Sequence, residues 1–125
     1  MILGIGTDIA DIKRLEDALR QHGTRFRDRV FTPQEVLYCE PKPRSVQHYA
    51  GRFAAKEAAF KALGTGWAKG LSWHDVEVFP GQNGPPMIQF HGLALEFFSN
   101  RGGKFIHLSI SHTDLYAVAF VVLES

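Results

Sequence analysis

The hydrophobic pattern of the chain changes its period several times, and these changes divide it into helices and strands. Residues 2–10, ILGIGTDIA, have the β-branched content of a strand, with Gly4, Gly6 and Asp8 on one side. Residues 45–63 follow the three- and four-residue spacing of a helix whose middle is rich in alanine. Small side chains on both elements indicate that another backbone can approach each of them closely.

Caps and breakers locate the other elements. Asp11 is a suitable N-cap for a helix that runs to about Gln21 and stops at Gly23. Thr32 and Glu35 form a capping box at the start of a short helix. The later elements are a strand around 73–79, a turn at 80–86, a strand at 87–90, a short helix at 93–100, and strands at 104–111 and 116–124. The pattern predicts an α+β fold in which an antiparallel sheet packs on the long central helix.

Length and composition limit the possible functions. A chain of 125 residues can bury one core, so residues 1–125 are interpreted as a single domain. A net charge of +1 lacks the basic footprint of a nucleic-acid-binding protein. Cys39 is the only cysteine, which excludes an internal disulfide and favours a reducing compartment such as the cytoplasm. No apolar stretch is long enough to cross a bilayer, so we expect no membrane role.

One charge interrupts the apolar stripe of the long helix. The stripe passes through Ala50 and Phe53, and its next positions are Glu57 and Phe60. An ionised carboxylate is costly to bury unless it is paired or binds a metal, and Asp8 in the first strand raises the same problem. If the alanine-rich face of the helix packs on the glycine side of the strand, the two carboxylates converge. Two carboxylates with room for water and phosphate oxygens suit Mg²⁺.

A simpler interpretation competes with the metal site. Glu57 and Lys61 have the spacing of an ordinary helical ion pair, and Asp8 could cap a turn. Lys56 and Lys61 both flank the glutamate near the C-terminal end of the helix, where the dipole disfavours anions. Lysine side chains rather than helix amides would have to hold a phosphate there. Spacing alone leaves the metal site and the helical ion pair both open.

Two further surfaces carry polar side chains in a pattern. Residues 13–29 present a basic face interleaved with acidic residues, which is ordinarily a solvated helix and alternatively a dock for an acidic partner. Strict alternation places His107, Ser109 and Ser111 on one face of a strand that ends at His112. The sequence has no G-x-S-x-G elbow, so binding is favoured over a hydrolase nucleophile.

Three segments together resemble the signatures of one family. They are GIGTDI near the start, AGRFAAKEAAFKALGTG in the middle and LSISH near the end. Their order and spacing resemble the holo-[acyl-carrier-protein] synthase group of 4′-phosphopantetheinyl transferases over essentially the whole chain. The resemblance implies the fold of that family and a Mg²⁺-dependent transfer of the phosphopantetheine arm of coenzyme A to a serine of apo acyl carrier protein. This reaction leaves adenosine 3′,5′-bisphosphate and supports fatty acid biosynthesis in the cytoplasm.

The resemblance also implies site residues by position. The metal ligands of the family correspond to Asp8 and Glu57, and Lys61 would stabilise the charge that develops on phosphate. The proton of the attacking serine would go to a metal-bound water or to Glu35. The residues implied for coenzyme A are Arg44, Arg52, Lys61, Gly64, Ser111 and His112.

Assembly and docking follow from the resemblance as well. Members of the family form homotrimers whose active sites lie between neighbouring subunits. The first helix would then face the acidic recognition helix of the carrier through Arg14, Arg20 and Arg25, with a charge match that mainly speeds encounter. The sequence leaves two other functions open: a protein of the same fold that binds coenzyme A and Mg²⁺ without turnover, and an interaction module that acts through the basic face.

Overall fold

The computed structural model describes residues 1–67 and 70–125, and its elements follow the order that the sequence predicts. The helices are α1 (Ile12–Val30), α2 (Pro33–Cys39), α3 (Ser45–Leu63) and α4 (Gly92–Asn100). The strands are β1 (Ile2–Asp11), β2 (Val76–Gly81), β3 (Gly84–Phe90), β4 (Phe105–His112) and β5 (Tyr116–Glu124). The α+β prediction is confirmed. No helix within these two ranges combines the length and the hydrophobicity that a membrane crossing requires.

The strands form two antiparallel sheets. In the three-stranded sheet β5 lies between β1 and β4, and in the two-stranded sheet β2 pairs with β3. Asp8 on β1 is opposite Ala119, whereas Ser111 on β4 is opposite Val118. Asp8 and Ser111 therefore belong to the two different edges of the larger sheet, with β5 between them.

Helix α3 is the centre of the core and packs on the inner face of the three-stranded sheet. A Cβ atom at Gly4 would lie 1.9 Å from the carbonyl oxygen of Ala62, and one at Gly6 would lie 1.8 Å from that of Ala58. Only glycine fits at these two positions, because any side chain would collide with the backbone of the helix. The close approach that the small residues predict is therefore confirmed.

Helix α1 consists of two segments that meet at Gly23. The carboxylate of Asp11 accepts a hydrogen bond from the backbone N–H of Arg14 at 3.1 Å, so the predicted N-cap is confirmed. Gly23 has φ 55° and ψ −140°, a conformation that side chains disfavour strongly. The first segment ends there, as predicted, and the residues after it form a second helical segment that reaches Val30.

The segment after α3 differs in detail from the prediction. Trp73–Asp75 form a 3₁₀ turn rather than part of a strand, with a capping box between Ser72 and Asp75. The predicted turn is shorter than expected, since Pro85 and Pro86 belong to β3. Proline is tolerated in this strand because both strands of a two-stranded sheet are edges, where its missing N–H group need not find a partner.

Candidate active site

Asp8, Glu57 and Lys61 line one cavity between β1, α1 and α3. The cavity has a volume of about 450 Å³, and Arg14 contributes a further charge to its wall. Apolar side chains form much of the remaining lining: Leu15, Ala18, Phe26 and Phe53. The cavity thus combines charges of both signs with an apolar wall, as a site for an amphipathic ligand would.

The close approach of β1 to α3 brings the two carboxylates together. Asp8 follows Gly6 by two positions and therefore lies on the same face of β1. Glu57 directly precedes Ala58, whose carbonyl oxygen faces Gly6. The side chain of Asp8 is 17% exposed and Glu57 is half-buried, so both keep some access to solvent. A larger residue at Gly6 would push the strand and the helix apart, and the carboxylates with them.

Lys61 pairs with Asp8 at the wall of the cavity. Its Nζ donates to Oδ1 of Asp8 at 3.1 Å and to the carbonyl oxygen of Thr7 at 3.0 Å. Within residues 1–67 and 70–125, Lys61 makes no ion pair with Glu57, so the simple helical pair does not form. Asp8 lies inside β1 and does not cap a turn.

Glu57 has no hydrogen-bond or ion-pair partner within the described chain. Burial raises the pKa of Glu57, the nearby carboxylate of Asp8 raises it further, and Lys61 opposes the shift. A carboxylate that is disfavoured by a like charge gains when a cation binds between the two. The described residues contain no group of three or more His, Cys, Asp or Glu side chains that could hold a metal. An ion here would need further oxygen ligands from water or substrate, which Mg²⁺ commonly uses, so the residues present fit this ion.

The three arginines predicted to dock a carrier are spread along α1. Arg14 lines the cavity and is exposed. Arg20 is 73% exposed, and its guanidinium lies 3.9 Å from the carboxylate of Glu16. Arg25 is exposed in the second helical segment, beyond Gly23. The three side chains therefore offer charge on two segments of different direction.

Most residues implied for coenzyme A lie away from this cavity in the single chain. Arg44 is exposed and lies 3.6 Å from Asp114, beside a separate groove. Gly64 ends α3 in the left-handed conformation, with φ 74°, which glycine adopts without strain. Ser111 and His112 are exposed at the end of β4, the edge strand opposite β1. One chain therefore gathers only part of the predicted site in one place.

Arg52 belongs to a basic cluster that the sequence patterns did not predict. It is 5% exposed, its guanidinium lies 4.0 Å from the centre of the Tyr38 ring, and its Nε has no partner in the described chain. Nζ of Lys42 lies 4.6 Å from the centre of the same ring. Burial lowers the pKa of His48, and the charges of Arg52 and Lys42 lower it further. His112 has a smaller effect on the pKa of His48 in the same direction.

The sequence does contain a signal for this cluster. His48 and Arg52 are four residues apart on α3 and therefore share one face of the helix. Lys42 precedes the helix in the segment PKP, which returns the chain toward Tyr38. A buried guanidinium nitrogen that has no partner among the described residues and lies near the ammonium group of Lys42 favours the binding of an anion.

Glu35 and Lys56 form a buried ion pair outside the cavity. Both side chains are 0% exposed, and Nζ of Lys56 lies 2.8 Å from Oε1 of Glu35. Glu35 also accepts hydrogen bonds from the backbone N–H groups of Thr32 at 2.8 Å and Val78 at 2.7 Å. Two interpretations of the sequence were therefore wrong. Glu35 has no access to a serine nucleophile, and Lys56 is not available to a phosphate.

Sequence comparison groups the chain with transferases. The profile of the 4′-phosphopantetheinyl transferase superfamily matches residues 4–121. The holo-[acyl-carrier-protein] synthase of Koribacter versatilis is 48% identical over 124 residues, which cover 99% of each chain. The protein of the same name from Geobacter sulfurreducens is also 48% identical over 124 residues, which cover 99% of this chain and 98% of that protein.

Solved structures agree with the sequence comparison. The crystal structure of holo-[acyl-carrier-protein] synthase from Neisseria meningitidis matches with a TM-score of 0.90 and 36% identity, covering 100% of both chains. The Helicobacter pylori enzyme of the same name, in complex with coenzyme A, matches with a TM-score of 0.84 and 32% identity, covering 96% of this chain and 99% of that one. The resemblance that the three sequence segments carry is thereby confirmed, and the chain belongs to the 4′-phosphopantetheinyl transferase superfamily.

Proposed function

We propose that this protein is an enzyme that transfers the 4′-phosphopantetheine group from coenzyme A to a serine hydroxyl of apo acyl carrier protein, releasing adenosine 3′,5′-bisphosphate. The observation that carries the proposal is the convergence of Asp8 and Glu57 on one cavity beside Lys61. Relatives named for this activity cover almost the full chain at up to 49% identity. We further propose that the enzyme acts in the cytoplasm and supplies holo carrier protein for fatty acid biosynthesis.

Asp8 and Glu57 are proposed to hold Mg²⁺. A bound Mg²⁺ would supply Lewis-acid chemistry, offsetting negative charge on the pyrophosphate and polarising the phosphorus under attack. Lys61 adds an ammonium group to the same side of the cavity and is proposed to stabilise charge on the leaving phosphate. With Glu35 buried in an ion pair, a solvent molecule is the better candidate to receive the proton of the serine.

Coenzyme A is proposed to extend from the cavity to the basic cluster around Tyr38. The unpaired Nε of Arg52 supports an anionic group at this place, and Lys42 and His48 would add to its binding. Arg44 is proposed to exchange its weak contact with Asp114 for a phosphate. The full set proposed for coenzyme A is Lys42, Arg44, His48, Arg52, Lys61, Gly64, Ser111 and His112.

We propose a homotrimer with active sites between subunits. The outer face of the three-stranded sheet exposes large apolar side chains, among them Ile5 at 55%, Ile9 at 65% and Phe120 at 47%. Soluble monomers rarely leave such a patch uncovered. Ser111 alternates onto this same outer face, so a neighbouring subunit that covers the face would bring its cavity close to this residue. Native mass spectrometry that detects only the 14.0 kDa monomer would contradict this assembly.

The carrier is proposed to dock on α1 through Arg14, Arg20 and Arg25. Arg14 lines the cavity itself, so a carrier held by this helix would present its serine next to Asp8 and Glu57. The arginines lie among acidic residues, and the chain has a net charge of only +1, so the attraction is local rather than a property of the whole surface.

Intact-mass spectrometry of an apo carrier tests the proposed function. The carrier is incubated with the protein, coenzyme A and Mg²⁺, with a chelator added to a parallel sample. We expect a gain of one phosphopantetheine arm that the chelator prevents. The matched control is Glu57→Ala, which should leave the carrier unmodified. If folded wild-type protein modifies none of several carriers, the result contradicts the proposed transfer and favours a protein of this fold that binds coenzyme A without turnover.

A further inference from the structure

We propose that the buried ion pair between Lys56 and Glu35 positions Glu57, by fixing the rotation of α3 so that the carboxylate of Glu57 faces the cavity. The inference rests on the proposed function of that cavity. Neither Lys56 nor Glu35 lines it, so both are positioning residues rather than catalytic ones.

Lys56 anchors α3 to three neighbouring elements. Its Nζ donates to Oε1 of Glu35 on α2 at 2.8 Å, to the carbonyl oxygen of Trp73 in the 3₁₀ turn at 3.1 Å, and to that of Val76 on β2 at 2.5 Å. A lysine ammonium has three donor hydrogens, and these three acceptors use all of them. The side chain is therefore held in one direction, and the helix turn that carries it is held with it.

Glu35 is itself fixed, so the anchor point does not move with the helix. Its Oε1 accepts the backbone N–H of Thr32, and its Oε2 accepts that of Val78. The hydroxyl of Thr32 donates to Glu77 at 2.6 Å, and Glu77 contacts Nε2 of His91 at 3.1 Å. These contacts tie the start of α2 to β2 and, through Glu77, to His91 directly after β3.

The two residues on either side of Glu57 are held in place by contacts with other elements, whereas the side chain of Glu57 has no such contact within the described residues. The preceding residue, Lys56, is bound to α2 and β2. The carbonyl oxygen of the following residue, Ala58, packs against Gly6 of β1. Glu57 makes no hydrogen bond or ion pair with any described residue, so only the helix backbone directs its carboxylate. A displacement of about 1 Å in a reactive site can lower the rate by about a hundredfold, so a small rotation of this turn matters.

The energetics of buried ion pairs favour a positioning role over a stabilising one. Desolvation of two charges offsets most of their attraction, and apolar residues of similar volume often stabilise a fold as well or better. The pair between Lys56 and Glu35 replaces such apolar packing beside a functional carboxylate. The ion pair fixes the rotation of α3 more closely than apolar contacts would, because its hydrogen bonds join defined donors and acceptors.

The test compares Lys56→Met with a control that weakens the same region without touching the pair. The control is Val78→Ala, since Val78 is 1% exposed and keeps the backbone N–H that Glu35 accepts. Both variants are studied at a temperature where circular dichroism shows them folded. Calorimetry measures how coenzyme A binding depends on Mg²⁺ concentration, and kinetics measure kcat and the carrier KM.

We expect Lys56→Met to need about 10- to 100-fold more Mg²⁺ than wild type, the range seen when a group that orients a metal ligand is removed. Its kcat should fall with an unchanged carrier KM, while Val78→Ala should keep the wild-type Mg²⁺ dependence. Equal Mg²⁺ dependence in the two variants would overturn the positioning role. If Lys56→Met does not fold, Lys56→Gln is tested in its place, because it keeps an N–H donor toward Glu35. We expect its Mg²⁺ requirement to lie between those of wild type and Lys56→Met. A wild-type Mg²⁺ requirement for Lys56→Gln would also overturn the positioning role.

The same data separate the two proposals. Wild-type protein that binds coenzyme A in a Mg²⁺-dependent way but transfers nothing overturns the proposed function alone, and the variants still test positioning. If coenzyme A binding to the wild-type protein does not depend on Mg²⁺, both proposals are overturned, because Glu57 is then not a metal ligand.

Discussion

Two neighbouring residues of α3 carry opposite charges into different surroundings. Lys56 is fully buried, and each donor of its ammonium has an acceptor from the protein. Glu57 is half-buried and has no partner within the described residues. Successive positions of a helix are about 100° apart, so one step along the chain moves a charge from the core to the cavity. The ammonium group of Lys56, which is fully hydrogen-bonded, holds elements of the fold together, whereas the carboxylate of Glu57, which has no partner within the described residues, is available to a ligand.

The electrostatic surroundings sharpen the contrast. Burial lowers the pKa of Lys56, and the carboxylate of Glu35 opposes that shift. Burial raises the pKa of Glu57, and the carboxylate of Asp8 adds to that shift. Each position pushes its group toward the neutral form, yet only at Lys56 does the protein place an opposite charge in direct contact. The like charge beside Glu57 supports the proposed cation site in the cavity.

The largest expected effect is the loss of transfer when a cavity carboxylate is removed. Asp8→Ala or Glu57→Ala should lower kcat by about a thousandfold or more, since a metal ion contributes several kcal/mol to the stability of a phosphoryl-transfer transition state. Steady-state kinetics measure the effect, and circular dichroism checks that each variant folds. Near-normal turnover in either variant would remove that residue from the metal site.

Removing the buried charge of Lys56 should lower the stability of the fold, in addition to its effect on Mg²⁺ dependence. Lys56→Met leaves Glu35 as an uncompensated buried carboxylate, and breaking a buried pair in this way costs about 3–5 kcal/mol of unfolding free energy. Urea denaturation measures the change against Glu57→Ala, for which we expect less than about 1 kcal/mol. Similar losses in the two variants would abolish the distinction between the two positions.

A smaller effect is expected at the rim of the cavity. Arg14→Glu should raise the carrier KM by about tenfold and weaken coenzyme A binding less than that, with a difference that shrinks as salt increases. Lys13→Glu is the matched control, because Lys13 is adjacent and 67% exposed but pairs with Glu16 and Asp17 on its own helix. An equal rise in carrier KM for both variants would show a general charge effect and not a docking contact at Arg14.

The smallest effect concerns the stability of the metal-free protein. Because the pKa of Glu57 is raised in the folded state, its ionised form destabilises the fold at a pH above that value, and the penalty disappears as the pH falls through it. Glu57→Gln should therefore raise the melting temperature by a few degrees at neutral pH, with the gain vanishing in acid. Calorimetry across pH without Mg²⁺ measures this, and a less stable variant at neutral pH would contradict the sign.

The contact between β1 and α3 could be predicted from small residues. Gly4, Gly6 and the alanines of α3 leave room for only one kind of packing, and it brings Asp8 toward Glu57. The separate roles of Lys56 and Glu57 could not be predicted in the same way. The buried face of a helix is normally recognised from the spacing of its apolar and polar residues. Helix α3 is buried on most of its surface, so this spacing does not show which of its charged residues lies in the core and which lines the cavity.

Features that depend on distant parts of the chain were also missed. The basic cluster joins Tyr38 of α2, Lys42 and two residues of α3, and its members become neighbours only when these elements pack. The division of the strands into two sheets depends on hydrogen bonds between segments, not on the alternation within each strand. Local patterns specify the elements, whereas their partners are set by packing of the whole core.

The bend at Gly23 divides α1 into two segments that can be altered separately by mutation. Arg14 belongs to the segment of α1 that begins at β1 and lines the cavity, whereas Arg25 belongs to the segment beyond the bend. Mutations in the second segment can alter the outer contact surface without moving Asp8, which is held by the sheet. If the carrier docks on α1 as proposed, the bend allows substitutions that change carrier preference to accumulate while the cavity stays the same.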